Sequence, residues 1–128
     1  MAGERILVVE DNEKNMKLVR DILRHHKYVT VEAATGEDGV RLAIDRRPDL
    51  VLMDIQLPDI DGIEALRRIR LERALDALPV IAVSASVMPD DQQKIVASGF
   101  DAFITKPINL KQFLATVQRL LAEGRASP

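Results

Sequence analysis

Leu50-Val51-Leu52-Met53-Asp54 is a run of apolar residues closed by an acid. A run this short suits a strand buried on both faces, as in a parallel sheet, and its terminal acid aims a carboxylate at the rim. Rims beyond the carboxyl ends of parallel strands are where α/β proteins bind ligands. Working outward, the same pattern recurs. Ile6-Leu7-Val8-Val9 ends in Glu10-Asp11, Val80-Ile81-Ala82-Val83 ends in Ser84, and Ala102-Phe103-Ile104-Thr105 is followed by Lys106. Val29–Ala33 is a further run without a chemical terminus.

Between these runs the apolar spacing changes to that of helices. Leu18, Val19, Ile22 and Leu23 are expected to share one face, as are Val40, Ala43 and Ile44, then Ile63, Leu66 and Ile69. Leu110, Phe113, Leu114, Val117, Leu120 and Leu121 form the longest stripe. Thr35-Gly36 suits a helix start and Pro48 lies past that helix's end. Pro89 with Asp90 and Asp91 suits another start, Gly99 a stop, and Asn109 with Gln112 an N-cap. Strands alternating with helices predict an α/β doubly wound, flavodoxin-like fold. It has a five-stranded parallel sheet in the common order 2-1-3-4-5 and five flanking helices, the order being taken from the doubly wound pattern. Residues 1–128 are expected to form one domain, ordered over about 4–123 and frayed from Gly124, with no output domain.

Bulk properties exclude several functions. The net charge is −2 with the signs interspersed, so no stretch neutralises a run of phosphates, and aromatic stacking platforms are scarce. Without cysteine there is no thiol catalysis and no zinc–thiolate site. No apolar run spans a membrane, and the first residues do not read as a signal peptide. A soluble, cytoplasmic protein without nucleic-acid or membrane partners is expected.

In the order 2-1-3-4-5, Glu10, Asp11 and Asp54 converge, with Ser84 and Lys106 arriving from the next two strands. Crowded carboxylates call for a cation, and hard oxygen ligands favour Mg²⁺. A free carboxylate beside a metal, a hydroxyl and a lysine suits phosphoryl transfer, with the carboxylate as nucleophile. Neither GxxxxGK[ST] nor GxGxxG occurs, so the donor is not ATP bound by this chain.

Glu10-Asp11, Asp54-Ile55-Gln56-Leu57-Pro58 followed by Gly62, Ser84-Ala85 and Lys106-Pro107 together resemble the response-regulator receiver family of two-component signalling. The likeness spans the whole chain and is greatest to the single-domain DivK type. It implies a phosphoprotein whose Asp54 takes a phosphoryl group from a histidine kinase or a histidine phosphotransfer protein. It also implies Mg²⁺ held by Asp11, Asp54 and the Gln56 backbone carbonyl, with Glu10 acting through water. Ser84 and Lys106 would contact phosphoryl oxygens, and the Ile55 and Ala85 N–H groups would complete the cradle. Phe103 stands at the family's switch aromatic, coupled to Ser84. Output would pass to a protein target through the fourth helix, fifth strand and fifth helix. Gln56 and Ser86 flank the site and would tune hydrolysis.

Plainer readings apply elsewhere. Asp61 before Gly62 suits a helix start, Asp59 a solvated loop, and His25-His26 the favourable end of the first helix dipole. Donor docking is expected beside the first helix through Asn12, Asn15, Met16 and Val19, with Met16 off the Leu18/Ile22 face. The chain is not expected to be an enzyme beyond its own phosphotransfer and autodephosphorylation. A Mg²⁺-dependent aspartyl-phosphate hydrolase and an unphosphorylated adaptor are the competing classes. Gln56 stands where such a hydrolase needs a second acid.

Overall fold

The computed structural model describes residues 3–85 and 88–125. Its strands are β1 Arg5–Val9, β2 Val29–Ala33, β3 Leu50–Asp54, β4 Val80–Ser84 and β5 Ala102–Thr105. All neighbours pair in parallel in the order β2-β1-β3-β4-β5. The helices are α1 Glu13–His25, α2 Gly36–Arg46, α3 Gly62–Arg70, α4 Pro89–Ala97 and α5 Leu110–Glu123, with a 3-10 turn at Arg73–Leu75. Among the described residues no helix is long and apolar enough to cross a membrane.

Strand alternation divides the core in two. Leu7, Val9, Val51, Met53, Val80 and Ala82 pack with Ala43 of α2, Leu66 and Ile69 of α3 and Ile95 of α4. Ile6, Val8, Leu50, Leu52, Ile81 and Ile104 face the other way, onto Met16, Val19 and Leu23 of α1 and Phe113, Val117 and Leu120 of α5. Both sheet faces are therefore covered, which is why β3 and β4 are buried along their full lengths.

Thr35, Asp61 and Asn109 stand at helix starts as expected and accept from the N–H groups of Asp38, Glu64 and Gln112 at 3.1, 2.8 and 3.0 Å. Asn12, expected only as a docking residue, caps α1 through Asn15 N–H at 3.0 Å. Pro89 occupies the first turn of α4, and Gly99 follows that helix at φ +100°.

Two expectations need amendment. On α1 the buried stripe is Met16, Val19 and Leu23, and Leu18 is 47% exposed. Val19 and Leu23 lie on the expected face with Ile22 packed against it, and Met16 takes the place expected of Leu18. Leu110 is likewise exposed, and Leu114 and Leu121 only half-buried. Asp59 is an exposed loop residue as expected, but its carboxylate does more than meet solvent: it accepts from the N–H groups of Gly36 and Glu37, both at 2.8 Å. Arg125 Nε donates to Asp101 Oδ1 at 2.8 Å, and its guanidinium also reaches the Asp76 carbonyl.

Candidate functional site

Asp54 is the last residue of β3, between β1 and β4, so it occupies the middle of the rim. Glu10 and Asp11 follow β1 on one side. Ser84 ends β4 on the other, and Lys106 comes directly after β5. Carboxylate oxygens of Glu10, Asp11 and Asp54 lie within 4.8 Å of one another. They open into a cleft of about 390 Å³ lined also by Asn15, Gln56, Ala85 and Lys106.

Lys106 bridges two of these acids, with Nζ 2.9 Å from Glu10 Oε1 and 3.1 Å from Asp54 Oδ2. Its backbone N–H donates to the Ser84 carbonyl at 2.9 Å, and the Lys106–Pro107 peptide is cis. Glu10 also accepts from Asn12 N–H at 3.1 Å. Glu10, Asp54 and Ser84 are buried, whereas Asp11 is exposed.

The electrostatics separate two neighbouring acids. Burial, then the Glu10 carboxyl beside it, pushes Asp54 up to about 6, against the pull of Lys106. Burial raises Glu10 as well, but hydrogen bonds from Lys106, Asp54 and the Asn12 backbone outweigh it and hold Glu10 below its ordinary value. Burial disfavours the Lys106 ammonium, yet its two carboxylate partners raise it overall. One lysine therefore faces three acids. Three hard oxygen donors from separate side chains suit a divalent cation such as Mg²⁺, which supplies the missing positive charge.

The loop after β3 is tight against the site. Gly62 N–H donates to the Ile55 carbonyl at 2.8 Å, and a Cβ on Gly62 would stand 2.5 Å from the Asp54 carbonyl oxygen. Only glycine allows that approach. The Ile55 N–H donates to the Val83 carbonyl at 3.1 Å, extending the sheet by one rung. In this structure the amide expected in the cradle is engaged in the sheet. Gln56 N–H points at Asp54 instead, 3.2 Å from Oδ1. A motif reading cannot see this, because successive amides in a turn point in different directions. Ala85 lines the cleft, and Ser86 lies outside the described residues. Phe103 is half-buried and pairs with Ala82, which places it on the sheet face that Ser84 shares by alternation.

The sheet order and the rim chemistry have known counterparts. The model of the response regulator receiver domain matches residues 6–118, and the chain belongs to this family of two-component signalling proteins. Among curated relatives, the polar-differentiation response regulator DivK of Brucella anthropi is 41% identical over 119 residues, 93% of this chain and 97% of the relative. DivK of Brucella ovis is 40% identical over the same shares. The receiver domain of the sensor histidine kinase PA1611 from Pseudomonas aeruginosa, with magnesium in its active-site cleft, is 33% identical. It superposes with a TM-score of 0.89 over 95% of this chain and 100% of its own. A CheY-like receiver domain protein from Methanospirillum hungatei is 28% identical, with a TM-score of 0.85 over 95% and 96% of the two chains.

Proposed function

We propose that Asp54 is the phosphoacceptor of a response regulator of the DivK kind. The observation that carries this reading is the placement of Asp54 between acids on β1 and a hydroxyl and lysine on β4 and β5. An Asp54 carboxylate oxygen attacks the phosphorus of a phosphohistidine on a histidine kinase or phosphotransfer protein. The phosphorus–nitrogen bond breaks and the imidazole leaves, taking up a proton. Asp11, Asp54 and the Gln56 carbonyl would hold Mg²⁺, with Glu10 engaged through water. When bound, the ion neutralises charge on the transferring oxygens. Ser84, Lys106 and the N–H groups of Gln56 and Ala85 hold those oxygens, with Gln56 taking the part expected of Ile55.

The cationic partner of Asp54 is also the natural clamp on its product. Lys106 exchanges a carboxylate for a phosphoryl oxygen, and Ser84 turns toward the new charge. Phe103, on the same face, follows Ser84. The response spreads to α4, β5 and α5, where a protein target reads it. The donor docks beside α1 through Asn12, Asn15 and the exposed Leu18, since Met16 and Val19 are in the core. We further propose that the protein works in the cytoplasm as a single domain and removes its own phosphoryl group by autodephosphorylation.

Incubation with acetyl phosphate and Mg²⁺ followed by intact-mass measurement tests the reading. One phosphoryl adduct, lost in Asp54→Asn and on chelation of Mg²⁺, is expected. Absence of any adduct in the wild type overturns it, and an adduct that persists in Asp54→Asn moves the acceptor elsewhere.

A further inference from the structure

Asp59 sits outside the rim cluster, yet it joins the β3–α3 loop to another element through both of its carboxylate oxygens. Its two carboxylate oxygens accept from Gly36 N–H and Glu37 N–H, each at 2.8 Å. These amides belong to the first turn of α2, where backbone donors lack helical partners. Burial alone would raise the Asp59 carboxyl, but the backbone hydrogen bonds from Glu37, Gly36 and others outweigh it and keep it below its ordinary value. Ile60 adds a second tie, because a Cβ on Gly36 would stand 2.5 Å from Ile60 Cγ1. At the loop's base, Gly62 N–H closes onto the Ile55 carbonyl. Gln56-Leu57-Pro58 is the short span left between these fastenings.

We infer that Asp59 is a positioning residue that fastens the β3–α3 loop to the start of α2, so that the Gln56 carbonyl is held ready for a divalent cation. The inference rests on the reading of the rim as a Mg²⁺ site. Asp59 touches neither the cation nor the phosphoryl group. It acts by removing freedom from the span that carries Gln56, as outer-shell partners do around other metal centres. The tie works in both directions: an event at Gln56 is felt through Asp59 at Gly36 and Glu37.

Loss of a helix cap alone would also destabilise α2, so the test needs a matched control. Thr35 caps the same helix end through Asp38 N–H and, among the described residues, makes no side-chain hydrogen bond to the loop. MgCl₂ is titrated into the ¹⁵N-labelled full chain while amide shifts are followed, for the wild type, Asp59→Ala, Asp59→Asn and Thr35→Ala. In the wild type, Gln56 and Gly36 amides should move with one midpoint. Asp59→Ala should raise the Gln56 midpoint by about ten-fold and abolish the response at Gly36. Asp59→Asn, which keeps an acceptor oxygen, should fall between, and Thr35→Ala should leave the midpoint unchanged. A wild-type midpoint in Asp59→Ala, or an equal rise in Thr35→Ala, overturns the inference while leaving the Mg²⁺ site intact. No saturable response in the wild type overturns the site reading and the inference together. Should Asp59→Ala fail to fold, Asp59→Asn decides: a raised midpoint supports the inference and an unchanged one overturns it.

Discussion

Lys106 reaches from the end of β5 across β4 to Asp54 on β3, closing a 3.1 Å contact between residues 52 apart in sequence. A 2.9 Å contact with Glu10 makes the same ammonium the bridge between two buried acids. Without it those acids would share a partly desolvated pocket with no contacting cation among the described residues.

Lys106→Ala should therefore lower stability by about 1–3 kcal/mol at neutral pH in chelator, through loss of a charged hydrogen-bonded pair in a buried setting. Added Mg²⁺ should recover part of that loss by replacing the missing charge. Urea unfolding with EDTA and with Mg²⁺ measures both effects. An unchanged midpoint in EDTA would show that solvent already screens the acids.

Asp54 gives the pH dependence. Its carboxyl is raised from 3.8 in the unfolded chain to about 6 in the fold. The folded state thus binds this proton more tightly, and that contribution is complete below pH 3.8 and lost as pH rises through about 6. Asp54→Asn carries no titrating charge. In metal-free buffer its stability advantage over the wild type should grow from pH 4 to pH 7.5 and reach about 1–3 kcal/mol. Thermal or urea unfolding of the pair across that range is the measurement. A difference independent of pH contradicts the raised value.

Gly62→Ala tests the closeness of loop and strand. The added methyl would meet the Asp54 carbonyl oxygen at 2.5 Å and the Ile55 Cα at 2.9 Å, both backbone atoms that cannot swing aside. A stability loss of about 1–3 kcal/mol and a weaker Mg²⁺ response are expected together. Wild-type unfolding with wild-type Mg²⁺ affinity would show that the loop relaxes freely.

On α1, Leu18 and Met16 should behave as opposites. Leu18→Ala should leave stability within about 0.5 kcal/mol while slowing phosphotransfer from a cognate donor. Met16→Ala, 7% exposed in the wild type, should cost about 2–3 kcal/mol. Denaturant unfolding beside stopped-flow transfer kinetics separates them. Slowed transfer in Met16→Ala at wild-type stability would restore the expectation that Met16 faces the donor.

The alternation of Leu50–Asp54 and its counterparts with helix-period segments was enough to infer strands, helices and most caps. Asp54 and Ser84 are the last residues of β3 and β4, at the strand ends where the apolar runs placed them. Helix faces were harder. On α1 the neighbouring apolar residues Leu18 and Val19 compete for the core, and only docking against the sheet selects Val19 with Met16 and Leu23. The capping role of Asp59 escaped notice because its partners Gly36 and Glu37 lie 23 and 22 residues away, beyond any local pattern.

By itself the chain determined the class of fold and the identity of the rim residues, because burial periodicity and strand-end chemistry are written locally. Only the tertiary structure decided which groups meet. Strand order brings Lys106 onto Asp54, sheet extension commits the Ile55 N–H and leaves Gln56 facing the acid, and helix docking draws Asp59 onto α2. Each depends on a direction in space, a property that sequence order does not carry.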